Sequence, residues 1–401
     1  MKRLLVFRSG LLPPSETFIR EQALALRQWR PLLLGLERLD DGLPLDGLEW
    51  RCVDPPQLKS WKRRLASRLL RLGAPQRRFL NELRASGARL LHVHFGVDAV
   101  KFWPVARALR LPVLVTLHGY DIQIHPQWWE DGHGGDAMRD YPARLRAMAR
   151  SDRVRFLAVS EAIRERALEW GLPAHKLQVS YIGVDTRRFA PGGQPVAQRP
   201  PRLLFVGRLV EKKGCEVLIR ALAQLRARVP QAELAVIGDG PLRPALEQLA
   251  AALCPGGVHF LGRQPPQRVR AELDLARVFC LPSLRAASGD AEGLGIVILE
   301  AQACGVPVLT SACGGAREAI EHGVSGLRHA EGDVQGLAEG LLRLLQDDAL
   351  ADAFSRAARQ RMVERFDLAD CSRRLERIYD EVAEASSRPP RGLGRLEAGL
   401  R

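Results

Sequence analysis

The hydrophobic positions in the first half of the chain form short runs separated by amphipathic stretches. The runs that predict strands are Leu4–Phe7, Leu32–Leu36, Leu90–His94, Val113–His118, Phe156–Ser160 and Leu177–Ile182. Helical periodicity is present at Thr17–Gln28 and at Glu161–Trp170, where Ser160 suits an N-cap and Gly171 a C-terminal stop. Strands that alternate with helices in this way indicate a parallel, doubly wound sheet.

The same alternation starts again after a segment rich in Pro and Gly. The runs that predict strands there are Leu203–Val206, Leu234–Ile237, Val258–Leu261, Val278–Leu281 and Val306–Thr310. A helix is predicted at Cys215–Ala227, and residues from about 350 to 386 have a helical pattern. We therefore expect an α/β protein made of two similar Rossmann-like domains.

Domain boundaries follow from the changes in composition. They are residues 1–190 for the first domain, 191–201 for a linker, 202–370 for the second domain, 371–386 for a helix that packs back on the first domain, and 387–401 for a disordered tail. Two domains of this size can each bury a core.

The net charge differs between the two halves of the chain. The 401 residues include 60 Lys+Arg and 46 Asp+Glu, a net charge of +14. Residues 1–200 hold 33 Lys+Arg and 20 Asp+Glu, which is +13, and residues 201–401 hold 27 and 26, which is +1. The imbalance indicates an anionic partner of the first half, and it leaves nucleic acid, an acidic membrane and a phosphorylated substrate open.

Other features of the composition favour a soluble protein that is not secreted. No apolar stretch approaches the roughly 18 residues of a membrane span, and the N-terminus lacks a signal-peptide pattern. The seven cysteines are scattered in the sequence, which predicts reduced thiols in the cytoplasm and neither a disulfide framework nor a zinc site.

Ligands of open α/β sheets bind at the carboxyl ends of strands, and two strand ends of the second half carry suitable residues. Gly207-Arg208 and Lys213-Gly214 place cations five residues apart, where both could reach one phosphate group; alternatively, with Lys212, they form a solvated turn. Gly238 follows the next strand and would let the backbone approach a ligand closely.

A glycine-rich turn leads into the hydrophobic helix of the second half. The backbone N–H groups of Leu294, Gly295 and Ile296 would point into a cleft, where helix N-termini favour phosphate. Two carboxylates lie nearby: Glu292 is on the loop with Gly293, and Glu300 is in the helix. They would bind hydroxyl groups of a sugar and a ribose. Alternatively, Glu292 caps the helix and Glu300 pairs with an arginine.

Two loops of the first half lie at equivalent strand ends. His118 and Asp121 follow a strand: His118 is either a core histidine or a residue that faces the cleft, and Asp121 is a candidate residue of the acceptor side. The loop after the first strand contains Gly10 and Ser15, which could help enclose a phosphate or an acceptor.

These motifs together resemble one known family. They are Gly-Arg…Lys-Gly at 207–214, Glu-Gly-x-Gly…Glu at 292–300, Ala-x-Gly-x-Pro-Val at 303–308, His-Gly-x-Asp at 118–121, and Val-Ser-Glu…Gly-Val-Asp…Phe at 159–189. In order and spacing the chain resembles the retaining glycosyltransferases of family 4, which have the GT-B fold, over roughly residues 2–386.

The resemblance implies a role for each matching residue. Arg208 and Lys213 would bind the diphosphate of a nucleotide-sugar donor in place of a metal, so no cofactor is expected; the sequence contains no Asp-x-Asp. Glu300 would bind the ribose and Glu292 the donor sugar, and His118 would contact the sugar near the reacting carbon. The family's base-binding loop corresponds to Gly262 and Arg263.

Two segments depart from the family pattern. Gly10 is followed by Leu-Leu-Pro-Pro rather than by a second glycine, so the loop's contacts with donor and acceptor do not carry over. The stretch 123–141 is an elaboration, in which Trp128 and Trp129 either stack on an acceptor sugar or pack under the loop.

A basic segment over residues 59–84 intersperses cations with apolar residues. Its first part suits an amphipathic helix on an anionic membrane surface, and the alternative is a solvated helix face. We expect peripheral attachment to the cytoplasmic face of the inner membrane, where lipid-linked glycans are assembled, and no binding to nucleic acid because no recognition module is present.

The sequence thus predicts a metal-independent, retaining hexosyltransferase for cell-surface polysaccharide. Its substrates would be a nucleotide sugar and a glycan or lipid-linked glycan acceptor. Two alternatives remain at this point. One is a GT-B-like nucleotide-sugar epimerase or hydrolase, and the other is a basic nucleic-acid-binding protein with a vestigial cleft.

Overall fold

A computed structural model describes residues 1–52 and 77–387, with side chains described as far as residue 385, and contains two large parallel sheets. The strands of the first half are β1 (Lys2–Phe7), β2 (Gly10–Leu11), β3 (Trp29–Gly35), β4 (Glu37–Arg38), β5 (Glu49–Cys52), β6 (Ala88–His94), β7 (Val113–Leu117), β8 (Val154–Ala158) and β9 (Leu177–Val179). The main sheet has the order β5-β3-β1-β6-β7-β8-β9, and β2 pairs with β4 beside it.

Helices cover both faces of this sheet. Those of the first half are α1 (Thr17–Ala25), α2 (Arg77–Ala85), α3 (Gly96–Leu109), α4 (Tyr120–Gln123), α5 (Pro126–Glu130), α6 (Tyr141–Ala149) and α7 (Glu161–Glu169). Helix α7 begins as predicted, because the Ser160 hydroxyl accepts a hydrogen bond from the Ile163 N–H at 3.2 Å. Gly171, with φ +84°, lies just beyond its end.

The second half repeats the arrangement. Its strands are β10 (Arg202–Val206), β11 (Glu233–Ile237), β12 (Val258–Gly262), β13 (Val278–Leu281), β14 (Val308–Ser311) and β15 (Gly326–His329). They pair in the order β12-β11-β10-β13-β14-β15, and every pair is parallel. The predicted α/β class with two doubly wound sheets is confirmed.

The helices of the second half run from the first strand crossover to the end of the described chain. They are α8 (Cys215–Arg226), α9 (Arg243–Leu253), α10 (Pro266–Leu275), α11 (Ile296–Ala303), α12 (Ala316–Ala319), α13 (Val334–Gln346), α14 (Asp348–Arg365) and α15 (Leu368–Ser387). The continuous helical pattern from about 350 to 386 is therefore divided at Phe366–Asp367, where Asp367 bridges to Val184.

Helix α15 packs on the first sheet, although it follows the second domain in the chain. The Glu376 carboxylate accepts hydrogen bonds from the backbone N–H groups of Arg27, Gln28 and Trp29 at 2.6–3.0 Å. Tyr379 is buried against the Trp29 ring at a centroid distance of 5.6 Å. Helix α15 thus connects the second domain to the first.

Segment 191–201 is more ordered than a free linker. It contains a short 3-10 helix at Val196–Gln198, and the buried Arg199 side chain donates to the carbonyls of Leu273 and Ala276. This anchoring holds the linker against the second domain.

Two predictions fall largely on residues that lie outside the described ranges. The amphipathic helix predicted before Gly73 lies in residues 53–76, and the tail predicted to be disordered lies almost wholly in 388–401. Only the end of the basic segment is described, as helix α2.

Candidate functional site

The carboxyl ends of the two sheets meet in a cleft between the domains. A Cβ atom added to Gly293 would lie 1.8 Å from the carbonyl oxygen of His118, so only glycine permits this approach. The Gly293 carbonyl also accepts a hydrogen bond from the Ser160 hydroxyl at 2.7 Å. The glycine-rich loop of the second domain therefore touches the His118 turn of the first.

The cations of the Gly207–Gly214 loop differ in their partners. Lys213 Nζ lies 2.5 Å from Glu292 Oε2, and Lys212 Nζ lies 2.9 Å from Asp290 Oδ2. Arg208 is exposed and has no side-chain hydrogen bond or ion pair with any described residue. Its guanidinium is thus accessible to an anionic ligand.

The Glu292 carboxylate remains ionised despite its burial. Burial alone would raise its pKa, but the ammonium groups of Lys213 and Lys212 outweigh that effect and hold the pKa of Glu292 below its ordinary value. At neutral pH the carboxylate is therefore an acceptor for hydroxyl groups.

Glycines bring the neighbouring backbone of the second domain close together. A Cβ atom at Gly238, where φ is +136°, would lie 1.9 Å from the Gly207 carbonyl oxygen. Gly262 ends strand β12 with φ +69°, and the adjacent Arg263 side chain is exposed. These predicted donor-binding residues all lie at the carboxyl edge of the second sheet.

Helix α11 begins at the carboxyl edge of the second sheet, just after Gly295. The backbone N–H groups of Leu294, Gly295 and Ile296 have no hydrogen-bond acceptor among the residues described. Unpaired N–H groups at a helix N-terminus attract anions. Their position suits a phosphate.

Glu300 lies in the second turn of helix α11. Burial raises the pKa of its carboxyl group to about 7, while the positive charge of Arg188 works in the opposite direction. Arg188 itself pairs with Glu21 at 3.4 Å. The Glu300 carboxyl group makes no hydrogen bond within the described part of the chain, so it is free to bind ligand hydroxyls.

His118 faces the cleft from the end of strand β7. Its Nε2 lies 3.0 Å from Nδ1 of His94, and its ring is 5.0 Å from the Phe18 ring. Burial lowers the pKa values of both histidines well below the ordinary range, so both are neutral at pH 7. The remaining ring nitrogen of His118, Nδ1, has no partner among the described side chains.

The structure corrects the expectation for two residues on the acceptor side. Asp121 is fully buried, and its carboxylate accepts hydrogen bonds from the backbone N–H groups of Gly96, His118 and Gly119 at 2.7–3.0 Å. It therefore fixes the His118 turn and does not face an acceptor. Trp129 is also fully buried, against the ring of Tyr141, so it cannot stack on a ligand.

The other predicted acceptor-side residues are more accessible. Trp128 is partly buried and lies edge-on to Trp129 at 5.1 Å. Gly10 belongs to strand β2, and Ser15 is exposed on the following loop.

A buried ionic cluster at the end of strand β1 was not predicted. The Arg8 guanidinium pairs with Glu16 at 2.7 Å and also with Asp98, and it lies 4.5 Å from the centre of the Phe95 ring. The sequence contains a partial signal, since Arg8 and Glu16 flank the first loop. The choice of Asp98 depends on strand order, which the sequence does not specify.

No set of three or more His, Cys, Asp or Glu side chains within the described ranges is arranged to hold a metal ion. Burial raises the pKa values of the Cys215 and Cys304 thiols to about 12, so neither is a nucleophile at neutral pH. Nor does any helix in the described part of the chain have the length and apolar composition needed to cross a bilayer.

Two Rossmann-like domains that face each other across this cleft define the GT-B class of glycosyltransferases. The crystal structure of HepE from Anabaena in complex with UDP and glucose has a TM-score of 0.77 to this chain, with 21% identity over 95% of this chain and 100% of HepE. At that identity the similarity establishes the fold.

Sequence comparisons establish the family. Residues 187–361 match the model for glycosyl transferases group 1, and residues 16–188 match the model for glycosyltransferase family 4. The amylovoran biosynthesis glycosyltransferase AmsK of Erwinia amylovora is 34% identical over 74% of this chain and 71% of AmsK. A GDP-mannose-dependent phosphatidylinositol monomannoside mannosyltransferase of Mycolicibacterium smegmatis is 35% identical over 57% of this chain and 62% of that protein. The chain belongs to the family 4 glycosyltransferases and is an enzyme.

Proposed function

We propose that the enzyme transfers a hexose from a nucleoside-diphosphate sugar to a glycan or lipid-linked glycan in the biosynthesis of a cell-surface polysaccharide. The relatives support this class of substrates. AmsK is named for amylovoran biosynthesis, the M. smegmatis enzyme uses GDP-mannose and a lipid acceptor, and the HepE structure contains UDP.

The arrangement of the donor loop is the observation that carries the proposal. Arg208, Lys213 and the N-terminus of helix α11 face the same cleft as Glu292 and Glu300. A diphosphate placed there would meet two cations and a helix dipole, and the sugar and ribose hydroxyls would meet carboxylates. The leaving diphosphate gains charge in the transition state, and fixed cations stabilise that charge without a metal.

Lys213 and Glu292 have linked roles in this scheme. In the free enzyme each neutralises the other, so a bound diphosphate competes with Glu292 for the Lys213 ammonium. The freed carboxylate can then accept hydrogen bonds from the donor sugar. His118, neutral and held by His94, contacts the sugar near the reacting carbon, and departure and attack on one face give retention.

A thermal-shift screen of nucleotide sugars tests the donor, because a bound ligand raises the melting temperature by mass action. Product analysis with that donor, with and without candidate acceptors, then separates transfer from the alternatives: rapid consumption of donor without an acceptor would indicate an epimerase or hydrolase. Activity unchanged by EDTA supports the metal-independent mechanism, and activity lost and then restored by Mg²⁺ contradicts it.

Variants of the donor loop test the assigned residues. Arg208→Ala and Lys213→Ala should each lower kcat/KM by about 100-fold or more, because each removes a charge that stabilises the leaving group. Arg228→Ala provides a matched control, since Arg228 is an exposed arginine outside the cleft. Near-normal kinetics of both loop variants would contradict the assignment.

We also propose that the enzyme attaches to the cytoplasmic face of the membrane through residues 59–84. The support is the basic and apolar composition of that segment. Sedimentation with anionic vesicles should detect binding, and neutralising Lys62, Arg63, Arg64 and Arg68 should weaken it. Equal binding of that variant and the wild type would refute the role of the segment.

A further inference from the structure

A groove lies on the outside of the first domain, between the C-terminal parts of helices α3 and α6. Its volume is about 820 Å³. Helix α3 starts at the carboxyl end of strand β6, near the cleft, and runs back for 14 residues. At 1.5 Å per residue its two ends lie about 20 Å apart, so the groove is separate from the catalytic cleft.

Both cationic and apolar side chains line the groove. Four arginines line it, and no carboxylate of the described residues does; we call it the arginine groove, and the four are Arg107, Arg110, Arg144 and Arg153. Trp103 and Leu111 contribute apolar surface between them. Such a combination suits an amphiphilic anion.

Two of the four guanidinium groups have no partner among the described residues. Arg144 is 3.4 Å from Asp140 Oδ1, and Arg153 donates to the Arg110 carbonyl at 2.5 Å. Arg107 and Arg110 are exposed, and their guanidinium groups contact no acceptor among the residues in the described ranges. Unpaired cations that share one groove repel each other, and an anion between them removes that cost.

The charge of the surrounding surface is also positive. Residues 96–112 and 141–155, which form the two walls, contain eight Lys+Arg and two Asp, and one of those two, Asp98, is buried. Helix α2, which contains the end of the basic segment 59–84, packs beside helix α3, where Arg84 donates to the carbonyl of Ala108 at 3.2 Å.

We propose that the arginine groove binds the phosphate group of an anionic phospholipid in the membrane surface. The forked guanidinium groups of Arg107 and Arg110 suit phosphate oxygens, and Trp103 and Leu111 suit the glycerol and the first acyl carbons. A nucleic-acid backbone would pair with the arginines and would leave Trp103 and Leu111 exposed to solvent, so it fits the groove less well than a phospholipid. This inference rests on the proposed membrane attachment.

Flotation of the full-length protein with vesicles tests the groove. The vesicles are phosphatidylcholine with or without phosphatidylglycerol, at physiological salt. Each cation at such a surface changes partitioning about fivefold, so Arg107→Gln/Arg110→Gln should bind about 30-fold more weakly than the wild type. Arg107→Lys/Arg110→Lys keeps the charge and loses the two-pronged geometry of the guanidinium groups. This variant should bind several-fold more weakly than the wild type.

The matched control is Arg228→Gln/Arg356→Gln, which removes two exposed arginines of the second domain. It should bind within about twofold of the wild type, because charges farther than about 8 Å from the lipid are screened. Equal thermal midpoints would show that all variants are folded.

Three results would overturn the proposal for the groove. They are wild-type binding by the glutamine variant, wild-type binding by the lysine variant, and an equal loss of binding in the control. If neutralising residues 62, 63, 64 and 68 abolishes binding while the glutamine variant keeps it, membrane attachment stands and the groove is excluded. Salt-sensitive binding of a DNA duplex that depends on Arg107 and Arg110, with vesicle binding unchanged, would also exclude a lipid site.

Discussion

The Lys213–Glu292 ion pair predicts a large loss of stability when one partner is removed. The two atoms are 2.5 Å apart, and the side chains are only 14% and 11% exposed. Leaving one charge of a buried pair without its partner costs about 3–5 kcal/mol. Lys212 offsets part of the remaining Glu292 charge, so we expect about 3 kcal/mol for Lys213→Met. For a domain of this size, that lowers the thermal midpoint by about 6–12 °C.

Thermal unfolding followed by circular dichroism at pH 7 measures this loss. Glu292→Gln should be similarly unstable, and Lys213→Met/Glu292→Gln should be more stable than either single variant, because it leaves no unpaired charge. Arg220→Met is the control, since it breaks an exposed pair with Glu216 and should cost about 0.5 kcal/mol or less. If the effects of the two single variants add in the double variant, the side chains do not interact as described.

The pH dependence of the same variants has a defined sign. The pKa of Glu292 is lowered in the folded protein, so the pair's contribution is complete above the unfolded pKa and is lost as the pH falls through the folded value. The difference between the wild type and Lys213→Met should therefore shrink below pH 4.5.

The remaining predictions concern one titrating carboxyl group, one close backbone contact and one capping carboxylate. Glu300→Gln should raise the thermal midpoint at pH 8 and not at pH 5. Burial raises the pKa of Glu300 to about 7, so the folded protein carries the buried charge at pH 8 and not at pH 5. An equal rise of the thermal midpoint at both pH values would contradict this. Gly293→Ala should lower turnover about 100-fold by displacing the His118 turn, whereas Gly193→Ala, with nothing within 4 Å of the added Cβ, should retain activity. Glu376→Ala should cost about 3 kcal/mol in urea unfolding, because three backbone N–H groups lose their acceptor; a loss below about 1 kcal/mol would show that water replaces it.

The central strands and the edge strands β9 and β12 could be predicted from the sequence, and the edge strands β5 and β15 could not. Strands β1 and β10 are buried on both faces, so their residues form apolar runs. The edge strand β5 is only partly buried and reads Glu-Trp-Arg-Cys, which has no such run. The break between helices α14 and α15 has a local signal in Asp367, whose carboxylate accepts hydrogen bonds from the N–H groups of Ala369 and Asp370 at the start of helix α15. Tertiary contacts of Asp367 with Val184 and Thr186 reinforce the break.

The loops of the candidate site could be predicted because parallel strands place their carboxyl ends at one edge. The ion-pair and hydrogen-bond partners within the site could not be predicted. Whether Glu292 pairs with Lys212 or with Lys213 depends on loop geometry, because the two lysines are adjacent in the sequence. The contact between His94 and His118 depends on the register of strands β6 and β7, in which His94 lies opposite Thr116.

The cations of the donor loop and those of the arginine groove differ in their carboxylate partners. In the cleft, Lys212 and Lys213 are each paired with a carboxylate, whereas Arg208 has no such partner among the described residues. On the first domain, no carboxylate among the described residues lines the groove beside Arg107 and Arg110. Unpaired charges produce the longer-ranged field. Under the proposed function, an anionic surface would therefore attract the outer face of the first domain, and short contacts in the cleft would select the donor.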